Sequence, residues 1–358
     1  MMDLDLANAQ APVVFDGHND VLLRLSDLGA EAAVQNFING CAFHIDAPKA
    51  RAGGFGGGFF AVFVPSPPDQ GFDPEEMTKP AYDLPLPEPM PWADAMPVAL
   101  SLASVLFALE AAGALRICRT VAEISDAFAA GEIAAVFHME GAEAIDEDLA
   151  ALDLFYQAGL RSLGPVWSRP TIFGHGVPFR FPGTADTGPG LTDAGRRLVT
   201  RCNELGIMLD VSHLNEAGFW DLAKLTRHPI VATHSNAAAL CPHSRNLSDR
   251  QLDAIAESDG MVGLNFAVAF LREDGRVLDD VPLDQMMRHL DHLIARLGED
   301  RVGFGSDFDG AIVPRDLGSS AGLPALRTAM AAHGFDAALM KKLCHENWLR
   351  VLRQTWGG

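Results

Sequence analysis

Positive charge and cysteine are scarce in this chain, and a long uncharged apolar run is missing. Among 358 residues, 27 Lys and Arg face 47 Asp and Glu, a formal net charge of −20. Binding a polyanion needs clustered cations that displace counterions, so this balance argues against a nucleic-acid partner. The five cysteines, Cys41, Cys118, Cys202, Cys241 and Cys344, are odd in number, scattered and never paired as C-x-x-C. A disulfide framework and a thiolate zinc site are therefore not expected, and a reducing cytosol suits the chain best. Nothing approaches an 18-residue uncharged apolar stretch, so no membrane span is expected. The start, Met1-Met2-Asp3-Leu4-Asp5, lacks the basic and apolar regions of a signal peptide, and the expected location is cytoplasmic. The Gly53-to-Gly58 cluster has no Lys-Ser/Thr after it, which excludes a phosphate loop and leaves a flexible approach to a strand.

What is present is an ordinary globular composition, 48% apolar and 21% charged, with a clear rhythm. Short β-type runs alternate with longer amphipathic stretches, the pattern of βαβ units around a parallel sheet. Eight strands are predicted near 12–17, 56–64, 133–139, 160–166, 206–211, 229–233, 260–266 and 301–306. Helices are predicted at 99–112, 121–130, 147–158, 190–205, 215–226, 248–257, 283–297 and 336–354, with caps at Thr192-Asp193 and Ser248-Asp249. Eight such units imply one α/β domain over 1–358, a (β/α)8 TIM-type barrel with its chemistry at the C-terminal ends of the strands. Residues 65–97 hold ten prolines. They exclude a regular helix there and predict an extended insertion covering part of the pocket.

Five apolar runs end in metal-ligand residue types. His18 and Asp20 follow Val13-Val14-Phe15, two residues apart, so an extended chain aims both into the barrel mouth to grip one cation. Glu140 follows the run 133–137, where a carboxylate can bridge two ions through its two oxygens. His213 and His234 close two successive strands and suit a second cation. Asp307, after Val302-Gly303-Phe304-Gly305-Ser306, is placed to accept a proton from a metal-bound water, with Asp309 as the competitor. Imidazole and carboxylate without thiolate suit Zn2+ best, and Mn2+, Co2+ or Fe2+ also fit the ligand chemistry.

With these residues the chain resembles the membrane (renal) dipeptidase family, binuclear zinc metallopeptidases of the amidohydrolase-like barrel group. The likeness runs from Phe15 to Trp348. It rests on Asp16-Gly17-His18-Asn19-Asp20, Glu140-Gly141, Asp210-Val211-Ser212-His213, Thr233-His234-Ser235-Asn236 continuing to Ser244-Arg245-Asn246, and Gly305-Ser306-Asp307-Phe308-Asp309-Gly310. The resemblance implies a first zinc on His18 and Asp20, a second on His213 and His234, Glu140 bridging both, and Asp307 as general base. It also implies that Arg245 binds the terminal carboxylate of a small dipeptide substrate and that the chain is a homodimer; whether L-X-D-Y dipeptides are among the substrates depends on loops whose shapes the sequence does not give. A planar guanidinium is the best bidentate partner for a carboxylate. One departure stands out: where the family commonly has a histidine after the fourth strand, this chain has Trp167, whose indole N–H donates one hydrogen bond but cannot act as an imidazole. His175 is the candidate substitute if its loop folds inward. The rival readings are a related amidohydrolase acting on N-acyl amino acids or cyclic amides, and a catalytically weakened metal-binding barrel.

Overall fold

A computed structural model describes residues 11–67 and 74–357. The N-terminal residues behind the signal-peptide expectation, and Pro68, lie outside the described residues. Eight strands form the barrel: β1 (Val14–Asn19), β2 (Phe55–Phe63), β3 (Ala134–Glu140), β4 (Leu160–Gly164), β5 (Met208–Leu209), β6 (Val231–Ala232), β7 (Met261–Asn265) and β8 (Val302–Gly305). They pair in parallel in the order β5-β4-β3-β2-β1-β8-β7-β6. A parallel bridge between Asp210 and Val231, with Val211 N–H donating to the Val231 carbonyl at 2.8 Å, joins β5 to β6 and closes the ring. All eight strands lie at or beside their predicted positions, because strands buried on both faces read as unbroken apolar runs.

Alternation along each strand divides the core in two. In β3, Ala135 and Phe137 face the outer layer, where helices such as Leu283–Leu297 add Met286, Leu290 and Leu293. Ala134 and Val136 face the barrel interior with Phe15, Phe59, Met208 and Met261. The interior is plugged from below by the fully buried Trp348 of the last helix, Asn347–Trp356, whose indole N–H donates to the Phe304 carbonyl at 3.0 Å. A Cβ on Gly17 would come within 2.4 Å of that indole, so the plug requires glycine at 17. Trp348→Ala should cost about 3–5 kcal/mol of stability by leaving a large interior cavity. Chemical denaturation with an unchanged m-value would measure it.

β1 changes parity partway along. Phe15 points inward, and the β1–β2 register shifts between Asp16 and Asn19. Beyond that irregularity His18 and Asp20 both point into the mouth; re-aiming side chains is what such a kink does.

The structure corrects several expectations. A 20-residue helix, Trp92–Ala111, begins inside the Pro-rich stretch and contains Pro97. Pro91 caps its N-terminus, and Pro97 and Ala93, whose carbonyl loses its N–H partner, are both exposed, so the missing bond is not a buried one. By length and composition this helix is apolar enough to cross a membrane, with mean hydropathy 1.6. It packs on the barrel through Ala95, Ala99, Leu102, Leu106 and Leu109. Helices Val21–Ser26, Ala30–Asn39, Ala47–Gly53 and Leu323–His333 were not predicted, and the predicted helix 336–354 is two helices joined by a π-turn at Lys342–Glu346. Gly56, Gly57 and Gly58 lie within β2 itself, after a helix that ends at Gly53.

Candidate metal centre

The strand ends bring His18, Asp20, Glu140, His213, His234 and Asp307 to one point. Glu140, at the tip of β3, divides its oxygens between two groups. Oε2 lies 3.5 Å from His18 Nε2, which is 3.3 Å from Asp20 Oδ2. Oε1 lies 3.1 Å from His213 Nε2 and 3.4 Å from His234 Nε2. Ligand atoms of His18, Asp20 and Asp307 fall within 4.8 Å of one another, as do those of His18, Glu140 and His234. One carboxylate thus faces two imidazole-bearing clusters, one oxygen to each.

An outer hydrogen bond sets the tautomer of His234. Thr233 Oγ1 donates to Asp210 Oδ2 at 2.6 Å, so it accepts from His234 Nδ1 at 2.8 Å. His213 Nδ1 pairs with Ser168 Oγ at 2.8 Å. With its Nδ1 protonated, His234 presents a bare Nε2 only 3.1 Å from His213 Nε2. Burial, with Arg245 and His18 nearby, holds both imidazoles well below the ordinary histidine range. His213 Nε2, His234 Nε2 and Glu140 Oε1 lie within 3.4 Å of one another, a convergence of ligand atoms that a cation can occupy. Burial opposes a charge on His18, yet Glu140 and Asp20 outweigh it and raise its pKa well above normal. Burial also lifts Glu140 to about 7. A cluster that gathers protons in this way fits divalent cations, which supply the missing positive charge. Thr233→Val removes the hydroxyl that orients His234 and should weaken metal affinity about 10–100-fold, measurable by chelator competition.

Asp307 and Asp309 part company. Asp307 Oδ2 accepts from Asn265 Nδ2 at 2.9 Å, and the carboxylate faces the His18–Asp20 cluster. Asp309 is occupied elsewhere, its oxygens accepting from the backbone N–H groups of His44 at 2.7 Å and Ile45 at 3.2 Å. His213, Asp307 and Asp309 all hold positive φ, angles of 67°, 58° and 71°, which costs energy in a non-glycine residue and is imposed by the surrounding rim. Gly310 allows the close approach: a Cβ there would meet Asp20 Oδ2 at 2.1 Å and Asp307 Oδ1 at 2.6 Å.

Arg245 is buried beside the second cluster. Its guanidinium donates to the His234 carbonyl at 3.1 Å and Ser235 Oγ at 3.4 Å, and stacks over Phe270 at 5.4 Å. Burial lowers its pKa to about 10, which leaves it charged at neutral pH, and it has no ion-pair partner among the described residues. A cavity of about 860 Å³ opens above the centre, with Asp20, Glu140, His213 and Asp307 in its wall. Trp167 lines it as an aromatic surface, 5.1 Å from Phe63, 5.7 Å from Phe179 and 5.9 Å from His213 by ring centroids. His175 does not turn inward: its Nδ1 faces the Gly190 carbonyl at 3.4 Å and the residue is outside the cavity wall. Met77, Phe179 and Phe270 form one side of the mouth, and Tyr82 and Phe181, from a ribbon in which Tyr82–Asp83 pairs antiparallel with Arg180–Phe181, pack behind them as its roof. The insertion therefore does border the pocket, through Pro65, Ser66 and Met77.

The model of the membrane dipeptidase family, peptidase family M19, matches residues 7–356. This chain belongs to that family. It is similar to a metallo peptidase from Rhodobacter sphaeroides solved with a phosphinate mimic of the dipeptide L-Ala-D-Ala: 56% identity, 97% of this chain and 100% of that one covered, TM-score 0.94. A second solved structure, described as a dipeptidase of family M19, matches at 56% identity and TM-score 0.94, over 98% of this chain and 100% of that one. An uncharacterized protein from the pqqA 5′ region of Klebsiella pneumoniae is 51% identical over 245 residues, covering 68% of this chain and 90% of that protein.

In this M19 chain several buried residues that support the centre were not singled out from the sequence as site residues. Asp16 accepts from Ser306 N–H at 2.6 Å and Ser306 Oγ at 2.7 Å, locking β1 to the loop that carries Asp307. Asp210 does the same between β5 and β6, accepting from Ser212 and Thr233 N–H, each at 2.9 Å. His138 lies one layer below Glu140, its Nδ1 2.9 Å from Ser162 Oγ and its ring edge-on to His18 at 5.4 Å. Arg169 and Glu143 form a buried ion pair at 2.7 Å, and Arg169 Nη1 also donates to Ser66 Oγ at 2.9 Å. That pair ties the ends of β2, β3 and β4 behind the Trp167 wall. Only the spacing of Asp16 and Asp210 ahead of ligand histidines offered a signal for any of them.

Proposed function

We propose that this chain is a metal-dependent dipeptidase that hydrolyses the peptide bond of short dipeptides, L-X-D-Y dipeptides among them, with two Zn2+ as the metals. The observation that carries the number is Glu140, whose two oxygens face separate clusters: His18 and Asp20 would hold one ion, His213 and His234 the other, with Glu140 shared. When bound, such ions acidify a water to a pKa of about 7 and polarise a carbonyl oxygen.

The remaining work falls to side chains of the protein. Asp307, held by Asn265, receives the proton of the attacking water and delivers it to the leaving amine. Arg245 pairs with the substrate's terminal carboxylate and so replaces the counter-ion its buried charge lacks. The roof over the mouth and the Trp167, Phe63 and Phe179 wall exclude bulk water and leave room for a small ligand, about 860 Å³ being within the range of small-molecule sites. Anchoring at the C-terminal carboxylate and at the metals confines the enzyme to short substrates. Five free cysteines, four of them buried, support a reducing compartment.

The test is a panel run on zinc-loaded protein whose metal content is measured in parallel. Dipeptides with L- and D-residues at the second position are compared with N-acyl amino acids and cyclic amides. Turnover of dipeptides well above the other amides is expected. Turnover of N-acyl amino acids alone would overturn the assignment, as would two-metal protein inactive on every dipeptide.

A further inference from the structure

The metal ligands and Arg245 leave one side of the cavity unexplained, the side of Asp20. Arg24 lies there, on the helix Val21–Ser26 that starts directly after Asp20. Its Nε donates to the Asp309 carbonyl at 2.9 Å, and the exposed guanidinium takes part in no ion pair among the described residues. The other arginine in the cavity wall, Arg315, is neutralised by Asp279 through contacts of 2.6 and 3.1 Å. No acid of the wall forms an ion pair with Arg24 among the described residues, although its charge acts on the Asp309 carboxylate. Asp279 is paired, Asp309 is occupied by backbone N–H groups, and Asp20, Glu140 and Asp307 face the metal centre.

A second donor stands beside it. His44 Nδ1 accepts the Asp309 N–H at 2.9 Å, so the neutral ring carries its proton on Nε2, which has no protein partner among the described residues. Burial and the positive charge of Arg24 and Lys49 lower the His44 pKa and keep this tautomer. Asp309 therefore organises two donors at once, Arg24 through its carbonyl and His44 through its N–H. The Arg24 guanidinium, outside any ion pair among the described residues, and the neighbouring His44 Nε2–H together suit a carboxylate.

We infer that Arg24 and His44 select substrates whose N-terminal residue carries an acidic side chain, glutamyl or aspartyl dipeptides. The inference rests on the dipeptidase reading, because Arg245 beside His234 holds the C-terminal carboxylate and so directs the N-terminal residue toward Asp20 and Arg24. The second carboxylate of such a substrate then meets the second unpaired guanidinium.

Comparing L-Glu-Ala with its isostere L-Gln-Ala isolates charge from shape. On zinc-loaded full-length protein at low ionic strength, kcat/KM for Glu-Ala should exceed that for Gln-Ala about tenfold or more, the scale of one charge-assisted hydrogen bond. Arg24→Met should bring the ratio toward one, and Arg24→Glu should turn the preference toward L-Lys-Ala, whereas Arg315→Met should leave the ratio in place. A ratio near one in the unmodified enzyme, or one unmoved by Arg24→Met, overturns the inference while dipeptidase activity stands. A preference for Ala-Glu over Ala-Gln that depends on Arg24 overturns the placement at the N-terminal residue. Absence of hydrolysis of every dipeptide brings down the dipeptidase reading first and this selection with it.

Discussion

Asp307→Asn should lower kcat on a good dipeptide substrate by about 10²–10⁴-fold, the span of a lost general acid–base group. The substitution keeps the shape and the contact to Asn265 Nδ2, 2.9 Å from Oδ2 in the native chain, but removes the proton acceptor. Both metal equivalents should remain bound, because His18, Asp20, Glu140, His213 and His234 are untouched. Metal content by atomic emission, together with kcat from steady-state kinetics, separates the outcomes. Near-normal turnover would remove Asp307 from the chemistry. Loss of one metal equivalent would make it a ligand instead, a role its place within 4.8 Å of His18 and Asp20 also permits.

Arg245→Ala should raise KM for dipeptides by about 30-fold or more, since losing one partner of a buried charge pair costs about 2–5 kcal/mol. Dipeptide amides, which lack the carboxylate, provide the control. Their kcat/KM should change far less. An equal loss on acids and amides would mean that Arg245 acts through His234, whose carbonyl it holds at 3.1 Å, and the anchoring role would fall. Arg245→Lys keeps the charge without the planar fork and should recover only part of the loss.

Much of the barrel was legible before any coordinates, because a strand buried on both faces leaves an apolar run that no other local structure needs. Two helices fall at their predicted bounds: Val121–Ala130, with its Thr120–Glu123 capping box, and Leu283–Leu297, whose buried residues recur at helical spacing. The missed helices carry weaker marks. Leu323–His333 has Pro324 in its first turn, which reads as a breaker until the preceding Gly322 is seen to start it. The helix predicted at 99–112 begins at Trp92, so the reading of Pro91 and Pro97 as excluding a helix hid about two N-terminal turns. Both helices carry proline within their first two turns.

The candidate ligands could be read from position alone, since an acid or histidine just past an apolar run must stand at the barrel mouth. Their division of labour could not. The sequence favours Asp307 over Asp309, two residues on, but the physical reason lies in the backbone N–H groups of His44 and Ile45, more than 260 positions away, which occupy Asp309 and leave Asp307 to face the His18–Asp20 cluster. His175 offered an imaginable imidazole near Trp167, and the loop that carries it turns its ring to the Gly190 carbonyl instead.

By itself the sequence determined the strands, the face on which chemistry gathers and the residue types delivered there, because burial and alternation are local properties written in consecutive residues. The tertiary structure alone decided which oxygen of Glu140 faces which histidines, which aspartate the backbone occupies, and that Arg245 and Arg24 form no ion pair among the described residues. Those are relations between side chains brought together from distant parts of the chain, and pairing, desolvation and hydrogen-bond occupancy exist only once the barrel has closed.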